Sequence, residues 1–258
     1  MQMLGGFRRH LCAIVFAAPA VACGGDSTGP GSNEPATLSQ ALAELTIPAL
    51  AVGGLSLVDI DTPAASLEPT TCPYSAELQS FVCAPISESG ITIKQSFTLL
   101  SASGAKQSAY DPTTTASVKA STAVAGTFVK PGISLAVDGQ QEITLSGLVS
   151  GPHVLDGWAT DVITGTVEDA TATHPVSMRV NTSITDLVLP AHEAGSARVW
   201  PSSGRITGYV TGSVGPLPVS QQTVILFRGT SEATVSVSSG ILSKICRVDL
   251  AVAQAVCG

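Results

Sequence analysis

Residues 90–104 read GITIKQSFTLLSASG. Ile91 and Ile93, then Phe97 and Leu99, fall on alternate positions, and Ser, Ala and Gly close the stretch. Side chains that alternate with period two stand on opposite faces of an extended chain, so this is the pattern of a strand with one apolar face. The same pattern recurs downstream in TASVKAST (115–122), VAGTFVKPG (124–132), ISLAVDGQQEITLSGLVSG (133–151, with a turn expected near Asp138-Gly139), HVLDGWATDVITGTVED (153–169) and HPVSMRVNTSITDLVLP (174–190). It continues through ARVWPSSGRITGYVTGSV (197–214), QQTVILFRGTSEATVSVSSG (221–240) and ILSKICRVDLAVAQAVCG (241–258).

Turn residues at intervals of about eight to twelve, with no helical segment between strands to carry a parallel crossover, predict an all-β fold. The expected architecture is an antiparallel meander of about a dozen strands forming a barrel, half-barrel or sandwich. In 176–181, Val176, Met178 and Val180 share one side and Arg179 and Asn181 the other, as for a strand with one wet face. Gly208 and Gly212 interrupt another strand pattern, where glycine marks a bulge or a tight bend. A single short N-terminal helix is expected in TLSQALAELTIPAL (37–50): Leu38, Ala41, Leu42 and Leu45 form one face, Thr37 and Gln40 resemble a capping box, and Pro48 ends it. LAVGGLSLVDID (50–61) is broken by Gly53-Gly54 and then reads as a strand over 55–60.

Arg8 and Arg9 precede an apolar run over residues 11–22, LCAIVFAAPAVA, and then Cys23, which is the layout of an export signal. Such a run reaches roughly 18 Å as a helix, short of the ~30 Å hydrocarbon core. Ala20-Val21-Ala22-Cys23 resembles a bacterial lipobox, which implies lipidation of Cys23; Ala20-x-Ala22 also reads as an ordinary signal-peptidase site. GGDSTGPGSNEP (24–35) contains nothing that can pack and reads as a solvated tether. The domain plan is therefore a signal peptide over 1–22, a lipidated flexible tether over 23–36 and one β-rich domain over 37–258. Gly24, where aspartate is absent, resembles the pattern of lipoproteins released to the outer membrane; a secreted or periplasmic soluble protein is the alternative.

With 19 acidic against 12 basic residues the formal net charge is −7, which excludes nucleic acid as an expected partner. A negative domain has no electrostatic attraction to anionic lipid, so attachment to a membrane falls to the acyl chains on Cys23.

Of six cysteines, Cys12 lies in the signal and Cys23 is the lipid site. The remaining four form two equally spaced pairs, Cys72 with Cys83 and Cys246 with Cys257. Four cysteines allow three connectivities. If each pair closes an antiparallel hairpin, Tyr74 faces Phe81 across SAELQS, Val248 faces Ala255 and Leu250 faces Ala253, and directly opposed Cβ atoms lie near disulfide distance. We therefore expect Cys72–Cys83 and Cys246–Cys257. The spacing fits neither the short knuckles of a zinc site nor a redox CxxC.

Candidates for other chemistry are few. His153, His174 and His192 are scattered; His192 and Glu193 are adjacent, and neighbours on a strand point to opposite faces. Asp156 and Asp161 flank Trp158 in LDGWATD, a hydrolase-like grouping of carboxylates with an aromatic, but a turn between two strands is the expected reading of the same residues. Asp59 and Asp61 are of the type that binds calcium, without EF-hand spacing. No HExxH, GxSxG elbow or Gly-rich phosphate loop occurs. No catalytic residue, metal site or cofactor is expected.

Taken together, Ala22-Cys23-Gly24-Gly25-Asp26-Ser27, the Cys72…Phe81-x-Cys83 hairpin, residues 90–118, LSGL (145–148), VWPSSGRITG (199–208) and CRVDLA (246–251) resemble a family of uncharacterised, lipid-anchored envelope proteins of environmental Gram-negative bacteria. The resemblance implies an anchored β domain and carries over no activity. Three functions follow as expectations: a non-enzymatic outer-membrane lipoprotein with a structural or interaction role in the envelope; a carrier of lipid or another apolar ligand; and a polysaccharide-acting hydrolase. A lipid or an envelope protein is the expected partner.

Overall fold

The computed structural model describes residues 72–168, 172–189, 200–250 and 254–257, within a compact unit spanning Asp61–Gly258. The expected signal, Cys23, the tether, the short helix and Asp59 lie outside the described residues, as do Asp61, His192 and Glu193. Among the described residues, fourteen strands form a single antiparallel sheet: β1 (Tyr74–Ser75), β2 (Ser80–Val82), β3 (Ile86–Glu88), β4 (Ile91–Ser101), β5 (Lys106–Gln107), β6 (Thr115–Lys130), β7 (Ile133–Ser146), β8 (His153–Glu168), β9 (Thr173–Leu189), β10 (Ser203–Val214), β11 (Leu217–Leu226), β12 (Glu232–Ser239), β13 (Leu242–Asp249) and β14 (Gln254–Cys257).

The order follows the chain. From β6 to β14 every strand pairs with its successor, and β4 pairs along its length with β6. The other side of β4 is shared by three short strands, with β3 at Ile91–Ile93, β2 at Ser96–Phe97 and β5 at Leu99–Leu100. β1 and β14 end the path without pairing to each other, so the sheet is not closed.

Several strands are longer than the turn spacing predicts. Residues 115–130 form one strand, and β7 runs through Asp138-Gly139 without a turn. Gly139 has another reason to be glycine: it is buried opposite Asp161, and a Cβ there would overlap the Asp161 carboxylate. Residues 153–168 likewise form one uninterrupted strand, so LDGWATD lies within β8 and is not a turn.

Opposed residues in an antiparallel sheet share a face. One row of opposed residues crosses the whole path: Tyr74, Phe81, Phe97, Ala120, Ile143, Gly157, Ile184, Ile206, Ile225, Val235, Cys246 and Cys257. The adjacent row on the same face runs Leu99, Val118, Leu145, Leu155, Leu187, and the first and last two of these are 0 % exposed. This is the inner face and holds the core; each fully buried leucine contributes roughly 1.5–3 kcal/mol. Thr122, Gln141, Thr182 and Thr223 put a polar band across its middle, beyond which Ile91, Phe128, Val176 and Val214 are buried again. The opposite, outer face carries most of the Ser, Thr and Asn of the same strands, together with Trp158 and Tyr209.

Positive-φ glycines and register shifts interrupt the regular sheet, among them the following two. Gly126 and Gly212 share an inner-face row and take φ of +151° and +149°; a Cβ at either would run into a carbonyl oxygen of the next strand, Gly90 or Ser177. Only glycine takes this backbone conformation with a neighbouring carbonyl so close. Gly212 has this unusual φ, yet neither it nor Gly208 sits at a bulge: Gly212 pairs regularly with Met178 and Val219, and Gly208 with Thr182 and Thr223. The second interruption is a bulge in β9 at Thr185-Asp186, seen as a register shift by both β8 and β10, with Asp186 at φ +47°.

Candidate functional site

The four cysteines close two local disulfides, Cys72–Cys83 and Cys246–Cys257, each with Cα atoms 3.9 Å apart. The hairpin register places Tyr74 opposite Phe81, with ring centroids 5.2 Å apart at 62°, and Val248 opposite Ala255. The expected partner of Leu250, Ala253, lies outside the described residues. The first disulfide packs into a cluster with Phe81, Leu99 and Val118. The second ends the long inner-face row, so the thiol chemistry of these four residues is consumed at the two extremes of one sheet.

The structure does not bring Asp156, Trp158 and Asp161 together. Residues 156 and 158 lie on the outer face, 161 on the inner, as their parity along β8 dictates. A carboxylate pair acting on one glycosidic bond has to converge across the bond; these two diverge. Asp156 instead supports the bulge: its Oδ1 accepts the backbone N–H of Asp186 at 2.8 Å. Asp161 stands on the inner face between Gly139 and Val180, and burial pushes its carboxyl above the ordinary carboxylate value.

The outer face around Trp158 forms a polar platform. β8, β9 and β10 set six side chains in two rows of three: Trp158, Ser183 and a row neighbour Thr207, then Thr160, Asn181 and Tyr209. The two rings occupy opposite corners and are 45 % and 47 % exposed. Thr160 Oγ1 donates to Asn181 Oδ1 at 3.1 Å, and Gln222 Nε2 donates to the Tyr209 hydroxyl oxygen at 2.9 Å. The carboxylate beside Trp158, that of Glu142, is paired with Lys119 at 2.8 Å. The spread of Trp158 and Tyr209 through the β region suggests core residues, but both are half-exposed; alternation gives each residue's face, and only the cross-strand register through Asn181 makes them neighbours.

A shallow, open cleft of about 370 Å³ lies at the β9 bulge, lined by Thr185, Asp186, Gly204, Arg205 and residues 226–228. His153 and His174 sit at the start of β8 and near the start of β9, and both are half-buried. Among the described residues no group of three or more His, Cys, Asp or Glu could hold a metal ion.

No protein-family model matches this chain, and neither does any curated protein or solved structure. Fold and disulfides define its class: a single-sheet antiparallel β-meander with one wet face and a disulfide at each end.

Proposed function

We propose that the protein is an exported envelope lipoprotein, held at the outer membrane by acyl chains on Cys23, whose β domain acts by binding and not by catalysis. The observation that carries the reading is the use of the cysteines. All four in the described sheet are paired, as suits an oxidising compartment, and the one that remains after the leader follows a lipobox-like Ala20-Val21-Ala22. The resemblance to lipid-anchored envelope proteins supports the same assignment.

In this reading the sheet is a half-barrel, neither closed barrel nor sandwich; that β1 and β14 do not pair with each other favours it. A carrier of apolar ligands would have to use the inner face alone, because the outer face of the same strands is polar, and the band at Gln141 and Thr182 interrupts that surface. Binding from the outer face is the simpler use of this architecture.

The test is fractionation of cells expressing the parent and Cys23→Ala, with metabolic labelling by a palmitate analogue. The parent is expected in the outer-membrane fraction and labelled, the variant soluble and unlabelled. Unchanged fractionation of the variant, or an unlabelled parent, would overturn the anchor.

A further inference from the structure

The platform on β8–β10 has the chemistry of a glycan-binding surface. Trp and Tyr bury large areas when they find cover, and a half-exposed large aromatic is informative where an exposed aliphatic is not. Here two such rings, Trp158 and Tyr209, lie on one face, separated by two strand spacings and one row, about 12 Å from the sheet repeat. That is the reach of a few linked pyranose rings. The four side chains that complete the rectangle, Thr160, Asn181, Ser183 and Thr207, are all uncharged hydrogen-bonding groups.

We infer that this face binds a neutral polysaccharide segment, with sugar rings lying on Trp158 and Tyr209. A pyranose presents C–H bonds on its faces and hydroxyls at its rim, and therefore needs apolar planes flanked by donors and acceptors at the same level. The platform supplies both. The Thr160 hydroxyl holds Asn181 by its carbonyl oxygen, which leaves the amide N–H₂ to donate, and Gln222, opposite Tyr209 on β11, donates to the Tyr209 oxygen, leaving the phenol hydrogen to donate. Both groups are ordered before a ligand arrives, which lowers the entropy cost of binding.

Charge selects the class of glycan. Glu142 is neutralised by Lys119, Asp156 is turned to the Asp186 N–H, and the chain carries a net −7. The six side chains of the rectangle carry no charge, which suits a neutral glycan; exposed Arg179 and Arg205 stand one row outside it on the same face, so an anionic glycan is the competing occupant that the control tests, while the net negative charge disfavours nucleic acid. The inference is independent of the anchor at Cys23 and stands or falls separately.

The experiment follows Trp158 fluorescence in the full chain carrying Trp200→Phe, titrated with neutral hexasaccharides of β-1,4-glucose, β-1,4-N-acetylglucosamine, β-1,3-glucose and α-1,4-glucose, and with hexagalacturonate as the anionic control. At least one neutral probe is expected to give a saturable shift. Trp158→Ala, followed by calorimetry, and Tyr209→Ala should each weaken that binding by tenfold or more. Tyr110→Ala, an exposed ring elsewhere, should leave it unchanged, and circular dichroism establishes that each variant keeps the β fold. The inference is overturned if no neutral probe binds, if binding is insensitive to both ring substitutions, or if hexagalacturonate binds more tightly than the neutral probes.

Discussion

Asp156 holds Asp186 across the β8–β9 bulge: one carboxylate oxygen accepts the N–H of the single residue in β9 that takes a left-handed conformation. A β-strand residue with positive φ is costly for anything but glycine, and here an ionised acceptor on the neighbouring strand offsets part of that cost. Asp156→Ala is expected to destabilise the fold by about 1–2 kcal/mol, and Asp186→Gly in the same background to recover part of the loss. Urea denaturation of the parent and the two variants checks this; a second substitution that adds further destabilisation would show that the bulge is not what Asp156 supports.

The disulfides should matter to a similar and separable extent. Each closes a hairpin with a sequence separation of 11, for which loop-closure entropy gives about 2–3 kcal/mol per bridge. Replacing Cys72 and Cys83 by serine, and separately Cys246 and Cys257, is expected to lower stability by that amount. Dithiothreitol should then lower the parent's stability by about the two losses combined, since the bridges lie at distant ends of the sheet.

Asp161 predicts an unusual pH response. Its folded-state carboxyl titrates above the unfolded value of 3.8 because burial disfavours the charged form. Between those two values the folded chain binds more protons than the unfolded one, so stability falls as pH rises through the window and the penalty persists at neutral pH. Asp161→Asn is expected to be more stable than the parent at pH 7, with the advantage shrinking as pH is lowered towards 3.8. Asp111, held below the ordinary value mainly by its hydrogen bond from the Thr113 hydroxyl, works in the opposite sense, but it is common to both proteins and cancels in the difference. Equal pH profiles for the two would mean that Asp161 is not desolvated.

Local patterns in the chain foretold local facts. The equal spacing of the cysteines announced the two hairpins together with their registers, Tyr74 against Phe81 and Val248 against Ala255, and the alternation at 176–181 announced the two faces of β9. Parity alone separates Asp161 from Asp156 and Trp158. What a linear reading blurred were strand lengths. Gly139 looks like a turn, but it makes room for a carboxylate, and the strand continues; the two segments read over 115–122 and 124–132 are likewise one strand. The neighbourhood of Trp158 and Tyr209 was beyond reach for a different reason: it depends on the residue-exact register of β8, β9 and β10 around a bulge, and a one-residue slip would put either ring on the other face.

A long antiparallel sheet ordinarily offers its outermost backbone to any identical sheet nearby, and crowded copies then stack strand upon strand into fibres. Here one terminal strand is two residues long and the other four, too short to template a neighbour, and a covalent bond pins each against its hairpin partner. Among the described residues the hydrogen-bond ladder ends on these two short strands. Cutting Cys246–Cys257 would release β14 and lay bare β13, where Leu242 and Ile245 already face water, and turn a self-limited sheet into a seed for polymerisation.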